Sequence, residues 1–322
     1  MANLTQLVDK DVLKAHSKVS RWRSPLAIVC LYGVAALSVW LAVAKLGPWS
    51  WPAAVIVVGL CQHALFILLH DAAHYGAYPK RSVNDVIGDV LIGVPLGSRL
   101  KYYRALHNRH HHHVRDEIDP EMRMLAAIVC PSRGRAVLEA LTGVTALRTV
   151  LWYQGFIRES WREGLTQGSA LGDTLAFAAV WGPAVAVAAW TGTLWALGLF
   201  WVLPLAVVFM PLAKLQSYSD HTLELPVGES EFDRSLTRRF GFFADLIFNP
   251  FQAGEHLAHH LFPSVPWYNM PSFVRHLEGN ARYQEESKKW YADGFFFGRF
   301  TVFEQVMKKS RLRPAGSAEP AA

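Results

Sequence analysis

The stretch WPAAVIVVGLCQHALFILLHDAAH, residues 51–74, decides the fold. Its first twenty residues hold no lysine, arginine, aspartate or glutamate, enough apolar length to cross a bilayer as a helix. The run then closes on His70 and His74. Residues at i and i+4 share one helix face. Two imidazoles therefore point the same way at one end of a predicted membrane span.

Three more segments have the length and character of spans: about Pro25–Ala44, Asp173–Trp190 and Thr193–Leu212. The connections Lys45–Ser50 and Thr191–Thr193 leave room only for tight hairpins. The four spans, with Trp51–His70 as the second, thus pair one to two and three to four. Five lysines and arginines precede the first span and one lies in the first connection, against thirteen in residues 74–171 and thirteen from 213 onward. The positive-inside rule places both termini and the long middle region in the cytoplasm. The predicted fold is an all-α, multi-pass integral membrane protein, with four transmembrane helices in two hairpins under a cytoplasmic helical cap. A basic arm (1–24) leads into a membrane domain (25–313), and PAGSAEPAA (314–322) reads as a disordered tail.

Composition agrees. Hydrophobic residues make up 52% of the chain, charged residues only 18%, and there are 12 tryptophans. Soluble domains are roughly 25% charged. The net charge of +6 does not indicate nucleic acid, because the cations flank apolar runs and form no basic-aromatic module. Cys30, Cys61 and Cys130 sit in apolar surroundings with no CxxC pair, so they read as small buried side chains rather than a disulfide or zinc framework. No cleavable signal peptide is expected, since the first 24 residues are polar and basic and the first apolar run is too long. VNDVIGDVLIGVPLG (83–97) and residues 135–157 read as helices at the membrane surface or packed on its cytoplasmic side.

Eight of the 14 histidines fall into three groups: His70 and His74 in HDAAH, His107, His110 and His111 in HNRHH, and His256, His259 and His260 in HLAHH. His221 stands apart in SYSDH. The HxxxH and HxxHH spacings each aim two or three imidazoles from one helical face, and every group lands on the cytoplasmic side. Imidazole suits iron, zinc, copper and nickel. Eight or nine ligands are too many for one metal and suit two. The ExxH pairs of carboxylate-built bundle sites are absent. Within ALHNRHHHHV (105–114), His112 and His113 turn away from the arc of the other three.

The three boxes, in this order and placement, resemble those of the membrane fatty acid desaturase and hydroxylase superfamily. Asn84 in RSVND, DPE (119–121) and HLFPSVPWYNMP (260–271) strengthen the likeness, which runs from about residue 25 to 277. The resemblance implies two non-haem irons, O2 as co-substrate, and attack on an unactivated C–H bond of a lipid. Carried over by position, the ligands are His70, His74, His107, His110, His111, His256, His259 and His260, with His221 as the additional histidine that many members carry. Ala258 departs from the acidic residue often found inside the third box, and His112 and His113 extend the second. With no appended haem domain and no redox cysteine pair, electrons come from a separate ferredoxin or small cytochrome with its reductase.

Asp71 and Asp220 each adjoin a proposed ligand, and both are expected to accept the free ring N–H of a histidine. His63, seven residues before His70, lies roughly 10 Å deeper and reads as a satisfied, buried histidine or as part of a substrate tunnel. His16 and His276 read as surface residues. Phe66, Trp181, Trp195 and Trp201 could line an acyl tunnel, although core packing is expected for each. The leading functional reading is an oxygen-dependent fatty acyl desaturase. Its alternative is a hydroxylase or ketolase acting on a carotenoid, hydrocarbon or other lipid. A membrane metal carrier would need polar residues along the spans, and spans one, three and four have essentially none.

Overall fold

The computed structural model describes residues 6–114, 116, 118–128, 135, 138, 139, 141–162, 166, 169–221, 231–292, 294 and 301. Cys130 and the tail 314–322 lie outside the described residues. Four helices are long and apolar enough to cross a membrane: Arg23–Leu46, Pro48–Ala73, Ala170–Trp190 and Leu194–Ser217. Each extends a few residues past the apolar stretch read from the sequence at one end or both.

Span two is the central element, with span one along one side and span four along another. Two thirds of the residues in its apolar window are buried, whereas Ala188 is the one buried residue of span three. One buried polar group on span two is tied to the backbone of span four. Gln62 donates to the Trp201 carbonyl at 2.9 Å. Gly59 lets spans two and four approach closely, since a Cβ there would stand 2.3 Å from Val208 Cβ. Span four winds as two π-helical turns, Gly198–Val202 and Leu205–Phe209, on either side of Pro204. Proline has no N–H and its ring crowds the carbonyl four residues back. The wider turns absorb that defect.

Gly47 and Gly192 lie at the connections after spans one and three with φ of +84° and +68°, where a side chain would strain the backbone. Cys30 differs from the expectation of a buried thiol. It is exposed, because span one packs on one side only and turns the rest of its surface outward.

The non-spanning helices collect at the end of span two that carries His70. Residues 81–93 form a helix whose Val86, Val90 and Leu91 are exposed while Ile92 is buried. Indole N–H groups of Trp181 and Trp201 donate to the Val94 and Pro95 carbonyls, each at 3.0 Å, which anchors this segment to spans three and four. A short parallel pair, Thr237–Tyr291 and Arg238–Ala292, joins the chain before the third box to the C-terminal helices.

Gly33 and Gly59 give a paired test of span packing. A Cβ at Gly33 meets nothing within 4 Å. Gly33→Ala should leave the melting temperature in detergent unchanged or raise it, since alanine favours a helix over glycine by roughly 0.5–1 kcal/mol. Gly59→Ala should lower it, overpacking typically costing about 1–3 kcal/mol. Equal melting temperatures for the two variants would refute the contact between spans two and four.

Candidate metal centre

The first box ends span two. Its helix stops at Ala73, and Tyr75 adopts a left-handed φ of 63° to turn the chain away. A helix C-terminus leaves carbonyls unpaired, and here a cation from the second box satisfies them. Arg104 Nε donates to the Ala73 carbonyl at 2.9 Å and its Nη2 to the Ala72 carbonyl at 3.1 Å. The same guanidinium pairs with Asp85 at 2.5 Å and stacks 4.1 Å above the Tyr75 ring. Asn84 completes the joint, donating to the Ala72 carbonyl and accepting from Ala77 N–H. Arg104 lies one turn before His107, so the two boxes are locked together through backbone rather than through the histidines.

The second box lies on the helix Leu100–His112. Its N-terminus is held by Asp89, which accepts from Leu100 N–H at 2.7 Å and pairs with Arg99 at 2.6 Å. At its other end His110 is fully buried, and its Nδ1 lies 3.0 and 3.1 Å from the two oxygens of Asp119. Asp119 Oδ1 also accepts from Glu121 N–H, capping the helix Pro120–Ile128. One buried carboxylate thus starts a helix and fixes the orientation of an imidazole.

The third box, His256–Leu261, follows two consecutive non-glycine residues in left-handed conformation, Phe251 (φ 53°) and Gln252 (φ 65°). Arg238 ties this segment to His221. It is buried, pairs with Asp220 at 2.5 Å, and donates to Ser219 Oγ at 2.8 Å and to the Ala253 carbonyl at 3.2 Å.

These joints bring nine histidines into two groups. His70, His74, His107, His111 and His259 form one, and His110, His221, His256 and His260 the other. Within each, one nitrogen per ring lies within 4.8 Å of all the others. Several Nε2 pairs are closer: His107–His111 at 2.9 Å, His111–His259 at 3.1 Å, His221–His256 at 3.1 Å and His256–His260 at 3.0 Å. The two groups share a wall, where His111 stacks on His260 with centroids 4.2 Å apart.

The donor set fits metal ions. Nε2 of His70, His74 and His110 is buried with no hydrogen-bond partner, which is costly unless a cation takes the lone pair. Burial, reinforced by neighbouring imidazoles, holds His107, His111, His256, His259 and His260 well below the ordinary histidine range. Burial and Arg104 push His74 down to about 4. These rings are therefore neutral, the form that ligates a metal. His110 is the exception. Burial lowers it too, but Glu121 and then Asp119 outweigh burial and raise it.

Beside both groups runs an apolar cavity of about 430 Å³. His70, His107, His256 and His259 lie on its wall, and Phe66, Leu69, Leu205 and Phe209 line it toward the spans. Of the aromatic residues considered for this role, Phe66 lines the cavity. Trp181 and Trp201 cap carbonyls instead, and Trp195 stacks on Trp51 at 5.3 Å. His63 is buried off the cavity. His112 is exposed and bonded to the Asn108 carbonyl, and His113 pairs with Asp116, so both stand outside the two groups.

Of the two aspartates expected to orient a histidine, Asp71 is bonded elsewhere. Asp71 follows His70 by one residue, about 100° around the helix, and accepts from Trp267 N–H at 3.2 Å. Its second oxygen meets no donor and fits only because Gly76 has no Cβ, which would stand 2.4 Å away. Asp220 is engaged by Arg238. Asp119 performs the expected role. Its sequence signal was the DPE that follows the second box: an aspartate before a proline at a helix start.

Residues 46–291 match the fatty acid desaturase family. The chain belongs to that family. Among its relatives, a dihydrorhizobitoxine desaturase of Bradyrhizobium elkanii is 27% identical over 82% of this chain and 78% of its own length. A beta-carotene ketolase of a Paracoccus species is 26% identical, covering 76% of this chain and 87% of its own. An sn-1 oleoyl-lipid 12-desaturase of Anabaena variabilis is 24% identical, covering 81% and 79%. Family membership accounts for the apolar cavity and the histidine pattern together.

Replacing Asp119 removes both the helix cap and the His110 partner. Asp119→Ala should lower metal affinity or activity by about 10–100-fold. Asp71→Asn, whose side chain makes no hydrogen bond to a histidine, should retain bound metal. Metal content after dialysis against a chelator distinguishes the two, and an equal loss in both would contradict the assignment of Asp119.

Proposed function

We propose that this protein is an oxygen-dependent lipid desaturase that removes hydrogens from an unactivated alkyl chain at a histidine-ligated di-iron centre. The observation that carries the reading is the meeting of two imidazole groups with the wall of an apolar cavity. His70, His74, His107, His111 and His259 would hold one iron, and His110, His221, His256 and His260 the other. Two bound irons would supply the reductive activation of O2 that an unactivated C–H bond demands. The protein's own work is placement. The apolar lining draws in an alkyl chain and excludes water, while Arg104, Asp119 and Arg238 keep the ligand-bearing segments in register.

The spans pair as two hairpins, with both termini and the centre on the cytoplasmic side, as the loop charges argue. A ferredoxin or small cytochrome with its reductase would reach the centre from that side and deliver two electrons. The substrate is a lipid or acyl chain. A ketolase or hydroxylase reading has its own support, including the match to a beta-carotene ketolase over 76% of the chain. Both reactions begin at the same C–H bond and diverge in whether a second hydrogen leaves or oxygen is retained.

Mass spectrometry of lipids from an expressing host separates these outcomes. A new double bond is expected, and oxygen gain as the only product would overturn desaturation. His107→Ala, His110→Ala and His111→Ala should each abolish turnover and lower the iron content from about two per chain. His112→Ala and His113→Ala should retain most of both. Uniform loss across all five would contradict the ligand assignment.

A further inference from the structure

The nine histidines divide unequally, five in one group and four in the other. The smaller group has a carboxylate at its edge. Glu121 Oε2 lies 3.4 Å from His110 Nε2. That separation exceeds an ordinary N–H···O hydrogen bond, roughly 2.7–3.2 Å, and His110 Nε2 is buried without a hydrogen-bond partner. The other ring nitrogen, Nδ1, is already committed to Asp119. Nε2 is therefore the nitrogen free to ligate, and Glu121 faces that atom. Two donors about 2.1 Å from one metal, at angles between cis-octahedral and tetrahedral, stand about 3.0–3.4 Å apart. The Glu121–His110 separation matches that spacing, as do the 3.1 and 3.0 Å separations of His221–His256 and His256–His260.

Glu121 is also held where a ligand is needed. It sits in the first turn of the helix that Asp119 caps, through its own backbone N–H. The residue that orients His110 therefore orients Glu121 too. Its side chain lines the cavity, so it approaches the group from the substrate side. It stands outside the set of atoms that mutually approach within 4.8 Å. The terminal torsion of a glutamate is broad, and a carboxyl group turns about it without any shift of the helix.

Resting on the di-iron reading above, we propose that Glu121 supplies an oxygen ligand to the metal held by His110, His221, His256 and His260. Each metal then has five protein donors and one position left for an octahedral shell. The two positions differ chemically, one with five imidazoles and the other with four imidazoles and a carboxylate. A carboxylate is the harder donor and carries a negative charge, so it favours the higher oxidation state at its own iron. Glu121 places a carboxylate of that iron's ligand set on the cavity wall.

The test is anaerobic iron(II) loading of full-length wild type, Glu121→Gln and Glu121→Ala in detergent, read by metal analysis and by Mössbauer spectroscopy with 57Fe. Wild type should bind about two irons per chain and show two quadrupole doublets of equal area. Glu121→Gln, nearly isosteric, should leave one doublet unchanged and shift the other. Glu121→Ala should weaken one of the two irons by tenfold or more and leave the other tight. Elution volume and far-UV circular dichroism matching wild type show that the variants are folded. A single doublet in wild type, or unchanged spectra and stoichiometry in folded Glu121→Gln and Glu121→Ala, would overturn the proposal. Failure of wild type to load two irons would instead remove the di-iron reading on which it rests.

Discussion

Nine closely packed imidazoles aimed at two points are unstable company for one another. Each presents a lone pair or an N–H to neighbours that offer the same, and protonating them to relieve the mismatch would place like charges a few ångströms apart. Imidazole pairs at 2.9–3.1 Å can share an N–H···N hydrogen bond, but Nε2 of His70, His74 and His110 is buried without one. The architecture around the site answers this constraint. A metal bound to such a ligand set would add its binding free energy to the stability of the fold.

Rigidity comes from polar joints outside the histidines. Arg104 binds the last carbonyls of span two from the helix of the second box, and Arg238 gathers Ser219, Asp220 and Ala253 beside His221 and the third box. The Arg238–Asp220 pair is withdrawn from water, where losing one partner of a buried pair typically costs about 3–5 kcal/mol. These side chains make no claim on a metal, yet they set where each ligand-bearing segment stops. Asp119 adds economy of another kind. One buried carboxylate sets the tautomer of His110 and the start of the helix that carries Glu121.

Much of this was legible before any coordinates. A residue run such as 51–74 shows span, end and ligand spacing at once, because hydropathy and the 3.6-residue period act locally. The three boxes and His221 were visible for the same reason. What could not be read is whatever depends on where separate segments meet. Asp71 looked like a partner of His70 because it is its neighbour in sequence. On a helix, adjacent residues diverge by about 100°, and the carboxylate bonded to His110 comes from nine residues away. The exposure of Cys30 follows from which side of span one meets protein, which hydropathy does not encode. The paired left-handed residues Phe251 and Gln252 carry no glycine or asparagine to announce them.

Span three stands apart from this economy. Its central window has no buried residue, and none of its side chains lines the cavity. Its firm attachments are an end and a ring. Asp173 pairs with Arg99 and Lys101 at 2.7 Å and accepts from the Tyr102 hydroxyl, and Trp181 donates to Val94. Most of this helix therefore answers to the bilayer rather than to the protein. Its aliphatic positions can be exchanged wholesale for other apolar residues, and membranes of different thickness can be met by lengthening or shortening its far end. The second half of the molecule thus has a part through which the chain can adapt to a new lipid setting while the chemistry beside span two stays untouched.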